Sequence, residues 1–209
     1  MKITISRSAF IAAASVIQAK DDVRYYLNGV LIEKGRDNKP IIVATDGHRM
    51  VAALDENGLF PDTPNEPEVT SVIVNFSPET LRAAKLVKNL DIPLQIDVQA
   101  PLEVNTTIGD MTINGSVTID GTFPEWRRVA KDTDGKSAGW YNAAYVADFE
   151  KVARFLNTDR SKQSNSVTFR SDEGNSAAAV YFGNVPYAFG MLMPMRSDIE
   201  NPSMPGWAA

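Results

Sequence analysis

The sequence predicts an α+β fold: antiparallel sheets with helices packed on one face, built by repeating a short strand, an amphipathic helix and then several strands. Two observations lead there. Short runs of branched and aromatic residues, bounded by Gly, Asn, Asp and Pro, carry the two-residue alternation of strands. Between them, three stretches space their apolar residues three and four apart, as a helix with one buried stripe requires. A chain of 209 residues, 44% hydrophobic and 22% charged, can bury a sizeable core in one large domain or up to two small ones.

The first unit opens on Ile3-Thr4-Ile5, and Ser6 or Ser8 suits a helix cap. The helix runs to about Ala19 with Phe10, Ala13, Ala14 and Ile17 on its stripe. Residues 24–33 and 41–53 read as β runs joined at Gly35-Arg36-Asp37-Asn38, and Asp46-Gly47 reads as a tight turn within the second, since glycine supplies the positive φ such a turn needs. Residues 55–70 are a connection rich in Pro, Asn and Glu.

The second unit is the clearest. Residues 72–76 form a strand, Ser77 a cap, and Pro78 takes the first helical position, where its missing N–H costs nothing. The helix over 79–90 is expected to bury Leu81, Ala84 and either Val87 or Leu86, leaving Arg82, Lys85 and Lys88 along the opposite arc. Strands follow at 94–99, 102–107 and 111–119, with Gly109-Asp110 as the hairpin turn.

The third unit starts at Trp140-Tyr141, is capped by Asn142, and continues as a helix to about Asn157 with Tyr145, Phe149, Val152 and Leu156 inward and Lys151 and Arg154 off the stripe. Strands at 167–170, 177–182 and 187–193 complete it. The expected organisation is a domain over 1–131 (units 1–67 and 68–131), a linker over 132–139, a half-domain over 140–196, and a flexible tail over 197–209 containing Trp207.

Bulk properties exclude some classes. No apolar run is long enough to span a bilayer, the N-terminus lacks a signal-peptide core, and the absence of cysteine fits a reducing cytosol, so a cytoplasmic protein is expected. A net charge of −5 argues against an all-over basic nucleic-acid binder but permits positive charge confined to one surface. An enzyme reading finds little support. His48 is the single histidine, and no Gly-rich phosphate loop, HExxH or nucleophile elbow is present. His48 with Asp46 forms a conceivable base and orienting carboxylate, but residues two apart around a tight turn seldom face each other. No cofactor and no metal site is expected.

The chain concentrates Lys and Arg on its helices: Arg82, Lys85, Lys88, Lys151 and Arg154, with Arg7, Lys20, Arg160 and Lys162 near helix ends. Taken alone, such faces serve equally as solubilising charge or as phosphate contacts. The final strand is methionine-rich, and Pro194 there disfavours a central strand position and points to an edge or surface.

Three stretches, RYYLNGVLIE followed by VATDGHRM, then FPEWRRV, then MPMR, resemble in their order the bacterial sliding clamp, the DNA polymerase III beta subunit. The first two resemble that family's middle domain; the third unit resembles the second half of its last domain. The resemblance implies clamp-like repeats with helices on the inner face, and a non-catalytic processivity factor that holds replication and repair proteins on double-stranded DNA without reading sequence. It implies that Arg82, Lys85, Lys88, Lys151 and Arg154 face DNA phosphates. It also implies a groove for clamp-binding peptides, lined by Leu27, Thr45, Gly47, His48, Arg49 and Met50, then Pro124, Arg128 and Val129, then Tyr145, and finally Met191, Met193, Pro194, Met195 and Arg196. Flexible thioethers adapt to varied apolar anchors, and a few polar groups fix a peptide backbone. Partners implied are DNA, a polymerase and other peptide-bearing proteins, and a clamp loader. The pattern departs from the family in having three units instead of six. The expectation is a homo-oligomer, four copies supplying a ring's twelve units, with unpaired strand edges favouring association. The alternative is a truncated clamp that captures clamp-binding peptides without encircling DNA. Trp207 in the tail is a further candidate, folding back to compete for the groove.

Overall fold

Backbone pairing in the first strand is what interlocks the units. The computed structural model describes residues 1–17, 23–62, 68–86, 91–99, 102–128, 130, 139–157, 165–171 and 176–196. Its strands are β1 (Lys2–Ile5), β2 (Val30–Lys34), β3 (Pro40–Thr45), β4 (Arg49–Leu54), β5 (Ser71–Asn75), β6 (Leu94–Val98), β7 (Glu103–Ile108), β8 (Met111–Thr118), β9 (Val167–Arg170), β10 (Ala178–Phe182) and β11 (Val185–Leu192). They form one 11-stranded sheet in the order β1-β6-β7-β8-β5-β2-β3-β4-β11-β10-β9, with every pairing antiparallel. β1 of the first unit pairs with β6 of the second, and β5 of the second pairs with β2 of the first, so each unit lends its opening strand to the other.

Three helices, α1 (Arg7–Ile17), α2 (Pro78–Leu86) and α3 (Ala143–Leu156), pack on one face, with α1 between the other two and seated on β3 and β4. That position explains why the first helix has no charge after Arg7: Ala9, Phe10, Ile11, Ala12, Ala13 and Ala14 are all buried, and a helix apolar on every side belongs inside. Asn142 caps α3 by accepting the Ala144 N–H at 2.9 Å. Ser77 caps α2 by accepting the Thr80 N–H at 3.2 Å.

The central strands are buried on both faces. In β2, β3 and β4, Val30, Ile32, Ile42, Ala44, Val51 and Ala53 point into the helix-side core, while Leu31, Val43, Met50 and Ala52 point the other way. The second set forms a smaller core with Ile73, Ala179 and Met191, covered by Phe123 and, partly, Trp126 and Ala130. The stretch after β8 is therefore a lid across the outer face of the sheet, which is why these strands read as near-continuous apolar runs.

Three expectations need correction. Tyr25–Asn28 is a 3-10 turn, closed by Leu27 N–H donating to the Arg24 carbonyl at 2.8 Å; the turn buries Leu27, which an extended strand there would not do. In α2, Ala84 is buried and Leu81 packs against the core as expected, with Thr80 and Ala83 beside them; of the two alternatives Leu86 and Val87, Leu86 is 73% exposed and Val87 lies outside the described residues. Trp140 makes only an isolated bridge to Met195 in place of an opening strand. Of the edge or surface location expected from Pro194, the edge is not found, since β11 pairs with β4 from Leu192↔Arg49 to Ala188↔Ala53; Pro194 lies past the end of β11 between the exposed Met193 and Met195. Ala19, Val87, residues 132–138 of the expected linker, and the tail 197–209 with Trp207 lie outside the described residues.

Candidate functional site

The Thr45-Asp46-Gly47-His48-Arg49 turn is fixed by its own side chains. Thr45 Oγ1 accepts the Gly47 N–H at 3.0 Å and donates to the Arg49 carbonyl at 2.8 Å. Asp46 Oδ1 accepts the His48 and Arg49 backbone N–H groups at 2.9 and 3.0 Å. Gly47 has φ 84, a conformation that favours glycine, and a Cβ there would meet the Arg24 guanidinium at 2.6 Å and push that side chain aside. Arg24 in turn donates to the Asp46 carbonyl at 3.2 Å.

This turn meets the end of β11. Met50 pairs with Met191, Arg49 with Leu192, and the Met193 N–H reaches the His48 carbonyl at 2.9 Å. Between them lies a largely apolar cavity of about 230 Å³. Of the groove residues expected from the sequence, Leu27, Thr45, Gly47, His48, Arg49, Met50, Pro124, Met191 and Met193 line it. Leu27, Met50 and Met191 are buried in its floor, and Met193 stands 45% exposed at its mouth. Tyr145 is outside the lining but adjoins it: its ring stacks on His48 at 6.0 Å, and the Arg49 guanidinium lies 4.5 Å over it. Pro194, Met195 and Arg196 follow the end of β11 beyond the cavity, with Met195 52% exposed and bridged to Trp140. Arg128 points to solvent and does not join the lining. Val129 lies outside the described residues.

Sequence reasoning missed Arg24, Tyr26, Glu125, Trp126 and Ala177, which also line the cavity. Trp126 is the largest of these. It packs 6.2 Å from Phe189, its Nε1 donates to Glu33 at 3.4 Å, and Arg127 lies 4.1 Å over its ring while ion-pairing with the same Glu33. A tryptophan between Pro and two arginines was the available signal, since so large a ring seldom stays exposed.

Arg49 carries the site's charge network. Its guanidinium faces Asp46 at 3.2 Å and pairs with Asp148 of α3, which also accepts Lys151 at 2.6 Å. Burial by itself pushes the Asp148 carboxyl up, but the hydrogen bond from Lys151 and the Arg49 charge outweigh it and hold it below the ordinary carboxylate value. The conceivable His48–Asp46 dyad does not form: the carboxylate is taken by backbone N–H groups and Arg49, and the imidazole stacks on Tyr145.

Arg82 and Lys85 of α2 and Lys151 and Arg154 of α3 are exposed on the two helices that flank α1, and so share the helix face of the sheet. Arg7 does not join them. It is fully buried, and desolvation pushes its guanidinium below the usual value against the pull of Asp91. Lys88, Lys20, Arg160 and Lys162 lie outside the described residues. No group of metal-ligating side chains occurs among the described residues, and no described helix is long and apolar enough to cross a membrane.

Together these features define a fold of the clamp class: strand–helix–strand repeats with exposed Lys and Arg on the helix face and an apolar notch on the sheet's other side. Residues 5–125 match the family model of the DNA polymerase III beta subunit, central domain, and the chain belongs to that family, the bacterial sliding clamps. It is 32% identical over 119 residues to the beta sliding clamp of Pseudomonas putida, a match taking in 57% of this chain and 30% of the relative. To the clamp of Caulobacter vibrioides it is 28% identical over 163 residues, 77% of this chain and 41% of the relative. The chain thus spans less than half the length of these curated relatives. The DNA polymerase sliding clamp of Pseudomonas aeruginosa superposes with a TM-score of 0.66 at 22% identity, covering 94% of this chain and 66% of that one, a likeness of fold.

Proposed function

We propose that this chain is a sliding-clamp-like processivity platform, retaining polymerases and other proteins on double-stranded DNA through short peptides that dock in the notch between the 45–50 turn and the end of β11. The observation that carries this reading is an apolar cavity shared by two segments more than a hundred residues apart, Leu27–Met50 and Met191–Met193, with polar groups at its rim. Leu27, Met50, Met191 and Met193 take the peptide's apolar anchors, and His48, Arg49 and Thr45 hold its polar atoms; Tyr145 backs His48. Pro194, Met195 and Arg196 extend the surface, with Arg128 and Val129 on the connector side.

On the helix face, Arg82, Lys85, Lys151 and Arg154, with Lys88, attract phosphates without reading bases, as a protein that moves along DNA requires. The proposal includes a cytoplasmic setting, assembly of several copies around DNA, and a loader to open that assembly. The domain reading, 1–131 as one clamp-like domain and 140–196 as a half-domain, belongs to the same proposal.

The test is fluorescence anisotropy with a labelled clamp-binding peptide from a bacterial polymerase. Saturable binding that Met191→Lys abolishes, in a protein whose far-UV circular dichroism is unchanged, supports the groove. Equal binding by both proteins refutes it.

A further inference from the structure

Past β11 the chain leaves the fold at the groove's own mouth. Met191 lies in the cavity floor, and Met193 at the mouth is tied through its N–H to the His48 carbonyl at 2.9 Å. The Met195 N–H then donates to the Trp140 carbonyl at 2.7 Å. The backbone is held as far as Met195, and residues 197–209 begin two positions later. Met193, Met195 and Trp140 are all exposed along this exit, so the apolar character of the cavity continues outward past the end of the strand. A strip of this kind next to an apolar cavity marks a place that another segment covers. At about 230 Å³ the cavity itself is smaller than a small-molecule pocket and suits one or two large side chains.

The sequence that follows, SDIENPSMPGWAA, has the composition to supply them. It carries two carboxylates, Asp198 and Glu200, and no Lys or Arg, whereas the cavity lining includes Arg24 and Arg49 against one carboxylate, Glu125. Pro205-Gly206 is the central pair that a type II turn prefers, with proline fixing the first φ and glycine supplying the positive second one. Such a turn sets Met204 and Trp207 at its two ends within about 7 Å of each other, as a paired apolar anchor. A coil of the length from Arg196 to Trp207 spans roughly 18 Å on average and about 36 Å when extended, so the turn reaches back to the mouth without strain.

We propose that residues 197–209 are the groove's own resident ligand: Trp207 enters the notch, Met204 covers Met193, and a partner's peptide binds only by displacing them. The inference rests on the groove reading and adds to it a competitor carried in the same chain. Because the ligand is tethered, its effective concentration at the mouth is in the millimolar range, and a contact too weak to matter between separate molecules still fills the site. An intrinsic dissociation constant near 1 mM then lowers the apparent affinity for an added peptide by about five- to tenfold. Peptides with weak anchors are held off by that margin, and strong ones still bind. The exposed methionines are covered whenever no partner is present.

Two measurements test it. By anisotropy, deletion of residues 197–209, or Trp207→Ser in the whole chain, should tighten binding of the labelled polymerase peptide about five- to tenfold. The second needs no partner. The chain has three tryptophans, so labelling with 5-fluorotryptophan gives three fluorine resonances, and Trp207→Phe identifies the one that belongs to the tail. That resonance should move toward its unfolded-chain position in Met193→Lys, and also when saturating peptide is added to the wild type. Unchanged affinity in both tail variants overturns the proposal. So does a Trp207 resonance indifferent to Met193→Lys, or one that shifts with protein concentration, which would place a second copy's tail in the groove. Failure of the peptide to bind any form refutes the groove as a partner site, and the Met193→Lys spectrum then decides the tail by itself.

Discussion

Arg49 and Asp148 are 99 residues apart in sequence and form one ion pair, tying the turn that closes the groove to the third helix. Both side chains are mostly out of solvent, at 12% and 18% exposure, so the pair is screened less than a surface bridge. Asp148→Ala leaves Arg49 with Asp46 and the Tyr145 ring, and frees the turn to shift against α3. The expected cost is about 2 kcal/mol of stability. Peptide affinity should fall several-fold, because Arg49 and the His48–Tyr145 stack lose a common support. Urea unfolding and peptide anisotropy measured on the same variant check both halves.

The same carboxylate sets an acid sensitivity. Asp148 is held below its ordinary value in the folded chain, by Lys151 and Arg49 acting against burial. A depressed folded pKa means that its contribution to stability is complete above the unfolded value of about 3.9 and is lost as pH falls through the lower folded value. Between pH 5 and 8 this group should leave stability flat. Below about pH 4 the wild type should lose stability more steeply than Asp148→Asn, which has no proton to take up. Parallel acid limbs for the two proteins would sink the assignment.

Trp126 makes a separate wall of the cavity and is held by Glu33 and Arg127. Trp126→Ala removes a half-buried ring from the outer core and opens the notch toward Phe189, at about 2 kcal/mol. Peptide affinity should drop about tenfold or more, as it does when a central aromatic contact is truncated. Glu33→Gln keeps the ring but loosens it, so its effect on affinity should be smaller and its effect on stability slight. A Trp126→Ala protein that binds peptide normally would show that the ring is only a structural cover.

The helix face predicts a salt-dependent behaviour distinct from the groove. If Arg82, Lys85, Lys151 and Arg154 contact phosphates, each alanine substitution lowers the slope of log affinity against log salt by about 0.9. Lys151 differs from the others in sharing Asp148 with Arg49, so Lys151→Ala should also change peptide affinity slightly, whereas Arg82→Ala should not. Retention on circular but not linear DNA would mark encirclement, and equal release from both would favour a peptide-capturing protein that never surrounds DNA.

Much of this was legible in the sequence because local patterns dominated. The hairpin at Gly109-Asp110, the caps at Ser77 and Asn142, and the positive φ of Gly47 each follow from one or two residues. What stayed hidden depends on long-range packing. Nothing local distinguishes Arg7, fully buried, from Arg82, exposed, until α1 is placed between α2 and α3. The 3-10 turn at Tyr25–Asn28 has a strand's composition, and only the groove below it explains why Leu27 turns inward. The β4–β11 pairing is equally non-local: a half-unit looks edge-exposed until its last strand finds a partner well over a hundred residues earlier.

That seam offers the strictest test of the architecture, at a residue with no side chain. Gly190 faces Val51 across the β4–β11 ladder, and a Cβ placed there would lie 2.5 Å from the Phe149 ring and 3.1 Å from the Met50 carbonyl. The ring is buried among Phe169 and Phe182, and the carbonyl belongs to the ladder, so neither neighbour has room to yield. Gly190→Ala should therefore cost about 1–3 kcal/mol through overpacking, despite the lower backbone entropy alanine brings to a strand. Because Met191 is the next residue, the strain should also displace the cavity floor and weaken peptide binding beyond what the loss of stability explains. A stabilised Gly190→Ala protein would mean that β11 does not pack between β4 and α3 as described, and the groove would lose one of its two walls.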